Sequence, residues 1–196
     1  MGYCDMGISD MGNYLTVKDT CLEGLKIIIP CYTEDNRGYF IKSLERDVLK
    51  QYGLELTIDE EFESCSKKGV IRGLHFQQKN PQIKIVKVVT GTVYDVAVDL
   101  RKGSPTFGSH FGMELSDKNH FSLWIPSGFA HGFRVLTEDA IMSYRCIGKY
   151  DKKYDTGIRW DDPDLAISWN TQQPIISDKD DQLQSFRDFV RNYGGL

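Results

Sequence analysis

The sequence predicts an all-β-dominated domain, and three observations carry that expectation. From Leu25 onward, short apolar or alternating runs recur between turn signals. The runs are rich in Val, Ile, Phe and Tyr, the residues that fit a pleated, half-buried surface. No regular alternation of strands with long helical patterns occurs, so a sandwich or barrel is expected in place of βαβ units.

Taken in order, Leu25–Ile29 is a strand stopped by Pro30, and residues 34–38 (EDNRG) form a turn feeding a strand at Tyr39–Ile41. Leu44, Val48, Leu49 and Tyr52 sit at helical spacing ahead of Gly53, a short helix with a glycine stop. Residues 71–77 read as a strand in which strict alternation puts Ile71, His75 and Gln77 on one face. The β-branched runs of Ile83–Leu100 flank Thr90-Gly91 as a hairpin would. Further strands are expected at 110–115, 121–125, 132–136 and 140–147. A closing helix over 182–190 packs Leu183, Phe186, Phe189 and Val190 on one side. Residues 1–13, with Met-Gly at Met1, Met6 and Met11, read as a disordered leader, and residues 14–196 as one domain.

The 24 basic and 28 acidic side chains of the 196-residue chain give a net charge of −4. That balance argues against nucleic acid or anionic membranes as partners while allowing a local basic pocket for a phosphorylated small molecule. No apolar run approaches the ~20 residues that span a bilayer, and no signal peptide is visible. Five scattered cysteines without a CxxC pair point to a cytoplasmic protein with reduced thiols.

His75 is the first candidate for chemistry, because an imidazole titrates near neutrality and can carry a proton. The bland alternative, a satisfied structural histidine, stays open at this point. Lys84 shares a strand face with Val86 and Val88, so it either snorkels at a rim or sits in a pocket for a charged ligand.

Residues 126–133 (PSGFAHGF) hold a PxGxxH spacing that resembles the second motif of cupins. In metal-binding cupins that histidine joins two others and a glutamate. Here Gln77 stands two residues after His75, and Lys84 lies near where the glutamate would fall. A protonated lysine cannot ligate and repels a divalent ion, so no metal is expected.

Four blocks in order, GVIRGLHFQ, VVTGTVYDVAVDLRKGSPTFG, LWIPSGFAHGF and GIRWDDPDLAISW, resemble the dTDP-4-dehydrorhamnose 3,5-epimerase family over roughly residues 20–182. The resemblance implies a cupin-like double-stranded β-helix, or jelly-roll barrel, with a few short helices. It also implies a homodimer with exchanged strands and a nucleotide-linked 4-keto-6-deoxy sugar as substrate, with no cofactor. By the same resemblance His75 is the base, Asp180 its carboxylate partner, Tyr144 the opposing proton donor and Lys84 the cation near the enolate. Arg37, Arg72, Gln77, His131 and Tyr150 fall at substrate-binding positions.

Two departures stand out. The family often has glutamate five residues after the arginine of its Arg-Gly element, where this chain has Lys42. Where the family often reads Gln-Asp-Asn, this chain reads Glu60-Glu61-Phe62. Both family positions help contact the nucleotide. A C3-only epimerase and a non-enzymatic sugar-nucleotide-binding cupin remain as alternatives.

Overall fold

Residues 14–196 are described in the computed structural model, so the expected leader at 1–13 lies outside the described residues. Two antiparallel sheets face each other. The larger follows the order β1(Thr16–Asp19), β2(Lys26–Ile29), β10(Ser122–Ile125), β7(Ile83–Thr90), β12(Asp139–Ile147), β5(Glu60–Lys67). The smaller runs β13(Asp155–Gly157), β6(Ile71–Gln77), β11(Phe129–Val135), β8(Thr92–Asp99), β9(His110–Ser116). A separate hairpin pairs β3(Cys31–Asp35) with β4(Gly38–Lys42). This is the expected jelly-roll, with short helices α1(Arg46–Gln51), α2(Asp178–Asp181) and α3(Phe186–Tyr193). Among the described residues, no helix is long and apolar enough to cross a membrane.

Three apolar layers explain why so many strands read as unbroken hydrophobic runs. Between the sheets, Ile27, Val86, Val88, Val93, Ala97, Leu123, Phe133 and Met142 form the central core. Outside the smaller sheet, Val96 and Val98 turn the opposite way and pack with Leu74, Phe76 and Phe189. Outside the larger sheet, Ile28, Ile85 and Trp124 lie against Leu49 of α1. Strands buried on both faces need no polar alternation. Truncating fully buried Phe189 to alanine would cost about 3–5 kcal/mol.

Three expectations are corrected. β7 and β8 do not form a hairpin: β7 pairs with β10 and β12, whereas β8 pairs with β9 and β11. Both edges of each strand are already occupied, and Thr90-Gly91 is the corner where the chain passes between sheets. Gly91 has φ +82°, and a Cβ there would run into the Asp139 carbonyl.

The second correction concerns faces within β6. His131 pairs with His75 but Phe133 pairs with Arg72, so three residues of β6 span two of β11. This bulge at Gly73-Leu74 reverses the alternation. Ile71 therefore joins Leu74 and Phe76 in the outer layer, while Arg72 and His75 share the inner side.

Third, the last helix begins at Phe186, with Ser185 capping it by accepting from the Asp188 N–H (3.1 Å). Leu183 precedes it, and Val190 is exposed. β11 also starts three residues earlier than expected, which brings His131 into the strand.

Candidate active site

The bulge in β6 and the inner faces of β7, β11 and β12 enclose a cavity of about 360 Å³. Its wall includes Arg72, His75, Gln77, Lys84, His131, Tyr144 and Tyr150. Thus strands from both sheets contribute polar side chains to one end of an otherwise apolar interior.

His75 Nε2 lies 2.7 Å from Asp180 Oδ1. Asp180 sits in α2, whose N-terminus is capped by Ser177 Oγ accepting from the Asp180 N–H (3.1 Å). Its other oxygen, Oδ2, accepts from the Gly73 N–H at 3.1 Å, which ties α2 to the bulge. Burial pushes the Asp180 carboxyl up, but the hydrogen bond and charge of His75 and the Gly73 N–H outweigh it and hold it below its ordinary value. A carboxylate accepting from Nε2–H fixes the tautomer and leaves Nδ1 as the basic nitrogen.

A second pair lies deeper. His131 Nε2 is 2.8 Å from Asp95 Oδ2, both side chains being buried. The Tyr144 ring meets the His131 ring edge-on, with centroids 6.1 Å apart. Burial raises the Tyr144 phenol above its ordinary value, so it stays protonated. Burial lowers Lys84, against the opposing pull of Cys146, Asp155, Glu60 and Asp95. The Cys146 thiol, also buried, is pushed up to about 11. Among the described residues, no group of three or more His, Cys, Asp or Glu is placed to hold a metal ion.

A family model described as dTDP-4-dehydrorhamnose 3,5-epimerase matches residues 19–188. The chain belongs to this epimerase family. It is 45% identical over 172 residues to the dTDP-4-dehydrorhamnose 3,5-epimerase of Methanothermobacter thermautotrophicus, covering 86% of this chain and 93% of that protein. A dTDP-6-deoxy-D-glucose-3,5-epimerase from Legionella pneumophila, solved in complex with dTDP-4-keto-L-rhamnose, superposes with a TM-score of 0.85. It is 40% identical, over 89% of this chain and 94% of that one. A dTDP-4-dehydrorhamnose 3-epimerase of Streptomyces niveus is 37% identical over 81% of this chain and 78% of its own.

Within this epimerase, eight of the nine expected site residues come together. His75, Lys84, Tyr144, Arg72, Gln77, His131 and Tyr150 line the cavity, and Asp180 backs it through His75. Gln77 lines the cavity with its amide tied into the wall. Its Nε2 donates to the carbonyls of Lys79, Asn80 and Lys149, and its Oε1 accepts from the Asp151 N–H. The amide is consumed in pinning two loops at the cavity wall. Arg37 is not in the cavity of its own chain. It stands exposed on the β3–β4 hairpin, paired with Asp35 at 2.5 Å.

Asp95 was missed by sequence reasoning. The signal is local: in VYDVAVDL an acidic residue shares the inward strand face with Val93 and Ala97, where burial demands a partner. Phe62, one of the departures from the family pattern, stacks its ring on Tyr144 with centroids 4.7 Å apart.

Proposed function

We propose that the protein inverts C3 and C5 of a dTDP-linked 4-keto-6-deoxy sugar, converting dTDP-4-dehydro-6-deoxy-D-glucose to dTDP-4-dehydro-L-rhamnose. The observation that carries this reading is the His75–Asp180 pair sharing one cavity with Tyr144 and Lys84. A ketone at C4 acidifies the C–H bonds at C3 and C5. His75 Nδ1 takes the proton, and Asp180 stabilises the imidazolium that results. The electron pair moves onto the C4 oxygen, where the Lys84 ammonium stabilises the enolate. Tyr144 delivers its proton to the opposite face, and both groups re-equilibrate with solvent. Atoms and charge balance with no cofactor.

Arg72, held by Ser66 Oγ at 2.9 Å, orients the sugar or its phosphates. Tyr150 offers a half-exposed ring at the mouth, and His131 supports the floor. Two copies exchange strands, so that Arg37 of one chain reaches the diphosphate bound by the other. The enzyme works in the cytoplasm, where thiols such as Cys21, Cys65 and Cys146 stay reduced.

The deciding experiment is NMR of the sugar nucleotide with the enzyme in D₂O. Deuterium entering C3 and C5 with net inversion at both supports the double epimerase. Deuterium at C3 alone supports the one-carbon enzyme, the activity named for the Streptomyces niveus relative. Absence of exchange at either carbon would sink the assigned substrate.

A further inference from the structure

Phe62 of β5 stands directly opposite Tyr144 of β12 in the antiparallel register. The two rings are nearly parallel, 14° apart, in the stacked arrangement that aromatic pairs favour. Their exposures differ sharply: Tyr144 is 8% exposed and Phe62 46% exposed, at the cavity mouth. β5 is the edge strand of its sheet, and Tyr144 is the aromatic partner the structure gives Phe62. On another side the Tyr144 ring meets the edge of His131, whose imidazole is itself fixed by Asp95. The phenol is therefore gripped between a locked imidazole and the flat face of Phe62.

We infer that Phe62 is a positioning residue that sets the ring plane of Tyr144, and with it the face on which the carbanion is reprotonated. This rests on Tyr144 being the proton donor. A planar enolate accepts a proton on either face, so the stereochemical outcome depends on which acid is held within reach. If the phenol swings away, the imidazolium of His75 returns a proton to the face it came from. The result is exchange with solvent without inversion. By covering Tyr144 from the mouth, Phe62 also adds to the burial that keeps the phenol protonated.

The test compares Phe62→Asn, Phe62→Leu and Phe62→Tyr with the unaltered protein, on dTDP-4-keto-6-deoxyglucose in D₂O. Deuterium incorporation and net inversion are followed together by NMR. In F62N the ratio of inversion to incorporation should fall about tenfold. F62L, which keeps bulk but not a planar face, should fall similarly and carries the test should F62N not fold. F62Y, which can stack, should restore the ratio. An unchanged ratio in both F62N and F62L overturns the proposal. Tyr144→Phe run alongside separates the two claims. If it shifts the ratio while the Phe62 variants do not, only the role of Phe62 is lost; if it leaves the ratio unchanged, the reading of Tyr144 itself fails.

Discussion

His75 Nε2 and Asp180 Oδ1 lie 2.7 Å apart across 105 residues of sequence. Asp180 Oδ2 is at the same time anchored on the Gly73 N–H, so the carboxylate cannot turn freely. Asp180→Asn should therefore be informative. Its oxygen must keep accepting from Gly73, which leaves the amide NH₂ facing Nε2. That forces the proton onto Nδ1 and removes the basic lone pair. We expect kcat to fall about 10²–10⁴-fold, with dTDP affinity nearly unchanged. His75→Ala should abolish solvent exchange at C3 and C5 while still binding dTDP. Exchange retained in His75→Ala, measured by NMR in D₂O, would remove His75 as the base, and an unreduced kcat in Asp180→Asn would remove Asp180 as its partner.

With Lys84 as the cation beside the enolate, the proposed mechanism predicts an alkaline limb in the rate profile. A lysine needed as a cation works below its pKa, and burial lowers that value from 10.5. The loss of kcat/KM should accordingly set in below pH 10.5. Tyr144 moves the other way, above 10.0, and Cys146 reaches about 11, so neither accounts for an earlier limb. Lys84→Gln should lower kcat by about 10²–10³-fold through loss of enolate stabilisation. Residual activity should lack the limb, and a profile of unchanged shape would assign it elsewhere.

Asp99 ties acid stability to the loop that closes the smaller sheet. It accepts from Arg101 Nε (2.9 Å) and Nη2 (2.7 Å), Ser104 Oγ (2.6 Å) and Thr106 Oγ1 (2.7 Å). Burial alone would raise its carboxyl, but these donors bring it to about 2 from 3.8. A carboxyl depressed in the folded state stabilises above its unfolded pKa and loses that contribution as pH falls through the folded value. The contribution is about 2 kcal/mol. The stability gap between the unaltered protein and Asp99→Asn, measured by urea unfolding, should narrow as pH falls from about 4 to about 2. A gap that stays constant would show that the network acts through packing alone.

Much of this architecture was legible because strand periodicity and turn chemistry are local properties. The β3–β4 turn, the glycine stop after α1 and the inward face of Lys84, Val86 and Val88 all follow from short-range rules. What escaped was set by contacts distant in sequence. The corner at Gly91 reads like a hairpin turn until one knows that both edges of β7 and β8 are taken. The reversal of faces at Gly73 depends on the register with β11. Asp180 reads locally as part of a solvated acidic run, and only folding of α2 against β6 buries it. Its role was reachable through family resemblance and not through pattern. Asp95 is the opposite case, a buried acid whose strand position is informative by itself.

Arg37 provides the remaining prediction, because the single chain leaves it 86% exposed in its side chain and away from the cavity. The β3–β4 hairpin that carries it also exposes Tyr39 (62%) and Phe40 (60%). A two-stranded hairpin is marginal by itself, and neighbouring exposed aromatics favour a covering surface. Seating this hairpin on a second copy would cover Tyr39 and Phe40 and place a guanidinium where a diphosphate could accept two hydrogen bonds. Sedimentation of the unaltered protein should then report the mass of two chains. Tyr39→Ser with Phe40→Ser should shift it toward one chain. Arg37→Ala should leave the dimer intact and raise KM about 10–100-fold with little change in kcat, the signature of lost ground-state binding. A fully active single-chain species would rule out the exchange and return Arg37 to the solvated turn its local sequence describes.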